Sequence, residues 1–100
     1  IYPNKKYKKP NKKEIIALKE LIDRISNIKN ESDHQSIQYE IYETGKNNNY
    51  ENLKDWFSCL YEILLGQKEG PRMGSFISIY GSKKTINLIQ EAIDGKLAKN

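Results

Sequence analysis

The spacing of apolar residues constrains this chain more than any other feature of its sequence. Between residues 53 and 64 they recur every three or four positions, which is the period of one helix face. The stripe consists of Leu53, Trp56, Phe57, Leu60, Tyr61 and Leu64. Asn52 in front of it suits an N-cap, and Gly66 behind it suits a helix stop. The pattern predicts an amphipathic helix with Trp56 in the core.

A second helix is predicted closer to the amino terminus. Asn11 and Glu14 have the three-residue spacing of a capping box, in which side chain and backbone cap the helix start reciprocally. Apolar residues then recur at helical spacing, and the pattern fades near Asn30. This stripe consists of Ile15, Leu18, Leu21, Ile22, Ile25 and Ile28.

A shorter helical pattern follows. Ser32 and Gln35 again have the spacing of a capping box and predict the helix start. The apolar stripe consists of Ile37, Ile41 and Tyr42, with Tyr39 to its side. Gly45 and the asparagines at 47–49 are expected to end this helix.

The last third of the chain is predicted as a loop, a short helix and a longer helix. Residues 67–74 contain two glycines and a proline, which favours a loop. Residues 76–80 favour a strand by propensity, but no partner strand is evident, so we predict a short helix. Ser82 is expected to cap a final helix that ends at Gly95. Its inward residues are Ile86, Ile89, Ala92 and Ile93. The predicted fold class is all-α, a small bundle of about four main helices plus one short helix.

A chain of 100 residues is long enough for one small core. We divide it into an extended basic arm at 1–10, a helical domain at 11–95 and a tail at 96–100. The chain starts at Ile1 rather than methionine, which is consistent with a piece of a longer protein and equally with a processed or tagged chain. The single cysteine favours a reducing compartment, and no apolar run approaches a membrane span, so we expect a cytoplasmic protein.

Basic residues are unevenly distributed along the chain. The formal net charge is +4, with lysines concentrated at both ends and acidic residues in the middle. Aromatic residues lie among the basic ones, as with Tyr2 and Tyr7 in the arm and Phe76 and Tyr80 near the carboxyl end. Unpaired RNA bases are read by stacking on such rings. Each feature also has an alternative to RNA binding: the lysine run would simply be solvated, and Phe76 would belong to the core.

No arrangement of residues predicts catalysis by this chain alone. His34 is the only histidine and is expected at the surface, and Cys59 is expected as a small core residue. Neither has the companions that a metal site or an activated nucleophile needs. The glycine-rich stretch at 66–74 does not have the P-loop spacing. A small enzyme is therefore the least supported function.

Arginine is rare among the basic residues, with Arg24 and Arg72 the two examples. In a lysine-rich chain, an arginine suggests a need for the planar guanidinium fork. Arg72 follows a glycine and a proline, and its fork suits a base edge or a phosphate. The structural alternative is that Arg72 pairs with a helix carboxyl end or with Glu69.

Two segments carry a resemblance to a known family. An aromatic helix from Trp56 runs into Leu64-Leu65-Gly66, and Gly70-Pro71-Arg72-Met73-Gly74-Ser75-Phe76 follows, with a short segment closed by Gly81. Nearer the amino terminus are Tyr7-Lys8-Lys9-Pro10, Glu14 and Ala17-Leu18, and between them Ile41-Tyr42-Glu43 and Gly45-Lys46. In this combination the chain resembles the carboxy-terminal part of class I lysyl-tRNA synthetases.

The resemblance implies a fold and a function. The region 11–95 would be the α-helix cage that receives the tRNA(Lys) anticodon loop. A separate catalytic domain of the same polypeptide would attach lysine to the tRNA by using ATP. The HIGH and KMSKS signatures of that domain are not in this sequence, so the chain alone is expected to be inactive and to bind no cofactor. No membrane partner is expected.

Candidate RNA-binding residues are chosen by charge and aromaticity near the Gly-Pro-Arg stretch. They are Arg72, Lys68, Gln67, Ser75, Phe76, Tyr80, Lys83, Lys84, Lys8 and Lys9. The alternative function is a helical protein-interaction or scaffold domain that binds polyanions without specificity.

Overall fold

The computed structural model describes residues 5–98, and this part of the chain is mostly helical. Its helices are α1 (Lys12–Ser26), α2 (His34–Asn47), α3 (Leu53–Leu64), α4 (Met73–Tyr80) and α5 (Ser82–Ile93). No strand occurs between residues 5 and 98, so the predicted all-α class is confirmed. The first four residues of the arm, including Tyr2, and the last two of the tail lie outside the described residues.

Helix α2 holds the bundle together. It packs against α1, α3 and α4, and α1 also packs against α5. Helices α1 and α2 are antiparallel, because Arg24 contacts Glu40 while Glu20, one turn earlier, binds Asn47 and Asn48 at the far end of α2. The Arg24 fork joins two carboxylates, with Nε 2.9 Å from Glu20 and Nη1 2.8 Å from Glu40. The need for an arginine at position 24 is therefore structural.

Trp56 is the largest fully buried side chain, as its place on the α3 stripe predicts. Its indole Nε1 donates a hydrogen bond of 2.9 Å to the carbonyl of Ile41, and its ring lies 4.9 Å from the Tyr50 ring. Gly45 is buried inside α2 against this indole. A Cβ at Gly45 would lie 2.5 Å from Trp56 Cδ1. Of the residues predicted to end α2, the asparagines at 47–49 are confirmed, since the helix ends at Asn47 and Asn48 is its C-cap. The prediction for Gly45 was wrong, because this glycine makes room for the tryptophan.

The predicted caps are confirmed for two helices. Asn11 and Glu14 form the reciprocal capping box of α1, with both hydrogen bonds at 2.8 Å. Asn52 caps α3 by accepting the backbone N–H of Lys54, and Gly66 follows the end of α3 with φ +71°. Each of these caps satisfies backbone groups that the helix itself leaves unpaired.

Two other predicted caps were wrong by one residue. The N-cap of α2 is Asp33 rather than Ser32, because the Asp33 carboxylate accepts the backbone N–H groups of both Gln35 and Ser36. The N-cap of α5 is Gly81 rather than Ser82, and its φ of +105° suits glycine. Helix α5 begins directly after α4, which leaves Ser82 in the first turn.

Two helix ends also differ from the predicted positions. Helix α1 stops at Ser26 rather than near Asn30, since Asn27 caps it and its side-chain amide donates a hydrogen bond to the carbonyl of Asp23. Helix α4 begins at Met73, inside the stretch predicted as a loop. The short helix itself was predicted.

We expect Trp56→Ala to lower the free energy of unfolding by about 3–5 kcal/mol, because it empties the centre of the core. The measurement is a urea titration followed by circular dichroism. The control is Tyr39→Ala, which removes an aromatic side chain that is 58% exposed and should change stability by less than about 0.5 kcal/mol. Equal losses in the two variants would contradict a central role for the indole.

Candidate nucleic-acid interface

Residues 70–72, which we call the Gly-Pro-Arg bend, are exposed and are fastened to α3. The Tyr61 hydroxyl donates a hydrogen bond of 2.7 Å to the carbonyl of Pro71. Burial raises the pKa of Tyr61, so the phenol keeps its proton and remains a donor. Gly70 lies so close to the Tyr61 ring that an added Cβ would be 3.0 Å from Cδ1. This contact fixes where the chain turns toward α4.

A second contact holds the first turn of α4 against α2. The backbone N–H of Gly74 donates a buried hydrogen bond of 2.6 Å to Gln38 Oε1. A Cβ at Gly74 would collide with the carbonyl of His34 and with the Gln38 side chain. The two helices therefore approach each other through a glycine, and this approach sets which side of α4 faces outward.

Helix α4 is apolar on both of its sides. Met73 and Ile77 are buried against the bundle. The outer side forms an open apolar groove of about 220 Å³. The groove is lined by Pro71, Ser75, Phe76, Ile79 and Tyr80. Because Ile79 is 88% exposed, this helix leaves a large apolar side chain in water, which marks the groove as a candidate binding surface.

Two aromatic rings and a lysine are stacked along this groove. The Phe76 and Tyr80 rings lie 5.1 Å apart with an interplanar angle of 17°. Lys84 Nζ lies 5.7 Å from the centre of the Tyr80 ring, within cation–π range. Phe76 is half-buried and packs against the core as well, as its predicted core alternative requires, while its predicted stacking on RNA bases stays a prediction. We call the groove residues, together with Arg72 and Lys84, the α4 face.

The predicted site residues are unevenly placed around this face. Ser75, Phe76 and Tyr80 line the groove, with Lys84 above Tyr80. Arg72 is the N-cap of α4 and is exposed, without an ion pair to Glu69. The other candidates lie on exposed or half-buried surface outside the groove. These are Gln67, Lys68, Lys83 and Lys9.

Lys8 differs from the other candidates, because its charge already has a protein partner. Its Nζ lies 2.7 Å from Glu14 Oε2. Glu14 is only 4% exposed, and it also accepts hydrogen bonds from the Cys59 thiol at 2.9 Å and from the backbone N–H of Asn11 at 2.8 Å. One buried carboxylate therefore joins the arm, the start of α1 and the middle of α3.

The surroundings of Glu14 decide its protonation and that of Cys59. Burial raises the pKa of the Glu14 carboxyl, but the hydrogen bonds from Cys59, Lys8 and Asn11 outweigh burial and lower it below the ordinary value. Burial and the neighbouring carboxylate raise the pKa of the Cys59 thiol to about 12. Cys59 is thus a neutral, buried hydrogen-bond donor, which confirms its predicted core position and gives it a polar role that was not predicted.

Ile79 is the main residue of the α4 face that sequence reasoning missed. Once residues 76–80 are taken as helical, Phe76, Ile79 and Tyr80 fall at spacings of three and four and share one side. Met73 and Ile77 then form the opposite side. The signal was present in the spacing, but the strand-like composition of the segment obscured it.

The fold and this face together define a class: a small all-α domain with an exposed aromatic and cationic surface. The chain is similar to proteins named lysine–tRNA ligase. It is 44% identical over 86 residues to that of Rickettsia felis, an alignment that covers 86% of the chain and 16% of the relative. It is 43% identical over 93 residues to that of Rickettsia prowazekii, covering 93% of the chain and 18% of the relative. For that of Rickettsia bellii the identity is 41% over 90 residues, covering 90% of the chain and 17% of the relative.

The chain thus spans only 16–18% of the length of these curated relatives. The predicted resemblance to lysyl-tRNA synthetases is confirmed at this level, as a similarity to one region of them. No family profile and no solved structure matches the chain.

Residues 5–98 contain neither a membrane-spanning helix nor a metal-binding cluster. No helix in this range has the length and apolar character needed to cross a bilayer. The same residues bring together no group of three or more histidine, cysteine or acidic side chains that would hold a metal ion.

We expect the wild-type protein to lose stability as the pH falls below the ordinary glutamate pKa of 4.5. The folded Glu14 carboxyl has the lower pKa, so the unfolded chain takes up the proton first, and the stabilisation present above this pH is lost below it. In Glu14→Gln this contribution is absent at every pH. The measurement is a series of urea titrations on both sides of pH 4.5.

The comparison between wild type and Glu14→Gln isolates this one carboxyl. Glu20 and Asp33 also have lowered pKa values, but both variants contain them. The stability difference between the two proteins should shrink as the pH falls. A difference that is constant with pH would contradict the hydrogen-bonded, ionised state of Glu14.

Proposed function

We propose that this chain is the anticodon-binding domain of a class I lysine–tRNA ligase, and that its α4 face contacts the anticodon loop. The rest of the parent polypeptide would carry the catalytic domain, which uses ATP to attach lysine to tRNA(Lys). The chain itself would supply recognition and no catalytic group. The similarity to one region of lysine–tRNA ligases supports the assignment to such a parent.

The observation that carries this proposal is the stack of Phe76, Tyr80 and Lys84 beside an open apolar groove. The bases of an anticodon loop are unpaired, and unpaired bases gain free energy by packing on aromatic and apolar side chains. In our proposal a base packs in the groove against Phe76, Ile79 and Tyr80. Lys84 and Arg72, at the two ends of the α4 face, contact base edges or flanking phosphates.

The fixed geometry of the bend also supports a recognition role. Tyr61 fixes the carbonyl of Pro71, and Gln38 fixes the backbone of Gly74, on either side of Arg72. The Arg72 side chain is exposed and has no ion-pair partner among residues 5–98. A guanidinium on a rigid backbone loses less conformational freedom on binding, which favours a directed contact to RNA.

An exposed, apolar Ile79 favours a second candidate, a protein-interaction domain. In that case the groove would pack against another protein or against another part of the parent polypeptide. The RNA contacts of the α4 face would then be absent, and polyanion binding would not depend on the anticodon. The two candidates differ in what substitutions on this face do to tRNA affinity.

We expect Tyr80→Ala to weaken binding to a tRNA with a lysine anticodon by about 1–3 kcal/mol, because a stacking ring is lost. The measurement is a titration of labelled tRNA followed by fluorescence anisotropy. The comparison RNA is the same tRNA body with another anticodon, for which the loss should be smaller. Tyr39→Ala is the matched control, since Tyr39 is an exposed tyrosine on α2, away from the groove. Equal effects of the two substitutions would remove the groove from the proposal.

We expect Arg72→Ala to remain folded by circular dichroism and to lose about 1–3 kcal/mol of affinity for the tRNA with the lysine anticodon. Arg72→Lys keeps the charge and should recover only part of the loss if the planar fork makes the contact. A large drop in melting temperature would instead indicate a structural role. Unchanged tRNA affinity in both Arg72→Ala and Tyr80→Ala would favour the protein-interaction candidate.

A further inference from the structure

Residues 5–10 form a strap across the carboxyl end of α3. The backbone N–H of Lys6 donates to the carbonyl of Gly66 at 2.9 Å, and that of Lys8 donates to the carbonyl of Glu62 at 3.0 Å. Glu62 lies in the last turn of α3, whose carbonyls lack partners within the helix, so the bond from Lys8 satisfies a group that would otherwise need water. The bond to Gly66 ties the strap to the turn that follows α3. Gly66 is so close to the strap that a Cβ there would lie 3.0 Å from Lys5 Cβ.

The other end of the strap is fixed by Glu14. The ion pair between Lys8 and Glu14 ties the strap to a carboxylate that also caps α1 and accepts the Cys59 thiol. Pro10, the last residue of the strap, is buried. The strap is therefore held at both ends, although its composition is that of a free basic tail.

This arrangement divides the lysines of the strap into two groups. Lys8 is neutralised by Glu14. Lys5, Lys6 and Lys9 are exposed, and none of them has an ion-pair partner within residues 5–98. Contacts at Gly66 hold Lys5 and Lys6 at the turn that leads toward the Gly-Pro-Arg bend, and Lys9 lies between the anchored Lys8 and the buried Pro10. Three exposed cations on one short segment produce a local positive potential that attracts a polyanion.

We infer that Lys5, Lys6 and Lys9 form a phosphate-binding strip for the RNA whose unpaired bases meet the α4 face, and that Glu14 and Lys8 are the residues that position it. The inference rests on the proposed function for the identity of the RNA. Phosphate binding by the strip is independent of base sequence, because contacts to phosphates fix the register of an RNA but do not recognise its bases. The strip and the α4 face therefore make separable contributions to RNA affinity.

The test compares two triple variants that lose the same charge. One is Lys5→Gln/Lys6→Gln/Lys9→Gln, and the control is Lys19→Gln/Lys29→Gln/Lys54→Gln, which neutralises exposed lysines outside the strap. Affinity is measured against salt concentration for the tRNA with the lysine anticodon and for the same body with another anticodon. The strap variant should flatten the slope of log affinity against log salt by about 2 to 2.7, as three lost phosphate contacts require.

The strap variant should also weaken binding to both tRNAs by the same factor, so that the ratio between them is unchanged. The control triple should change the slope much less. Equal slope changes in the two triple variants would overturn the inference, because only total charge would then matter. A loss confined to the lysine anticodon would overturn it too, because the strap would then be reading bases.

The positioning role of Glu14 is tested by whether Glu14→Gln strengthens or weakens tRNA binding. Glu14→Gln makes the protein more positive by one charge, so generic attraction predicts tighter tRNA binding. If the ion pair positions the strip, binding becomes weaker instead, and trypsin cleaves the strap faster while circular dichroism still reports a folded bundle. Tighter binding with unchanged cleavage would overturn the positioning role.

The same measurements separate this inference from the proposed function. If the wild-type protein binds both tRNAs equally, the anticodon assignment fails, whereas a flattened slope in the strap variant alone still supports the phosphate strip. If the wild-type protein discriminates between the anticodons but the strap and control triples behave alike, the strip fails and the proposed function stands.

Discussion

The close approach of α4 to α2 at Gly74 is the contact on which the exposed face of this domain depends. A side chain at this position would collide with the carbonyl of His34, and the helix would have to move outward or rotate. The buried bond from Gly74 to Gln38 then fixes its rotation. With that orientation Met73 and Ile77 face the core, Phe76 is half-buried, and Ile79 and Tyr80 are left at the surface. The groove is thus a consequence of a short helix that is apolar on both sides and can bury only one.

A second constraint comes from the buried Glu14 carboxylate. A charge at 4% exposure is costly unless it is fully hydrogen-bonded. Here Lys8, Cys59 and the backbone of Asn11 supply the donors. Each donor comes from a different segment, so the requirement to satisfy one carboxylate brings the strap, the first turn of α1 and the middle of α3 together. A capping residue thereby acquires a tertiary role.

Much of the fold could be predicted because it depends on local rules. Helical spacing places Trp56, Leu60 and Ile37 in the core, and side-chain chemistry gives the caps at Asn11 and Asn52. The errors arose where a distant residue decides the outcome. In the sequence Gly45 has the features of a helix stop, but in the fold it makes room for the Trp56 indole. Ser82 has the features of an N-cap, but Gly81 fills that position because it both ends α4 and begins α5. The groove was only partly predicted, because spacing identifies the two sides of α4 but not which side α2 will cover.

The availability of cationic groups could not be predicted from composition, since it depends on partners far along the chain. Arg24 and Arg72 are the same residue type in the same lysine-rich background, yet Arg24 is shared by two carboxylates and Arg72 points to solvent. Lys8 and Lys9 are neighbours in the sequence, and Lys8 alone is bound, to a carboxylate six residues away. A net charge of +4 therefore says less about binding than the few cations that the fold leaves free. In this chain those cations lie beside a turn whose backbone is fixed from both sides, so the geometry that frees them also fixes where a polyanion would meet them.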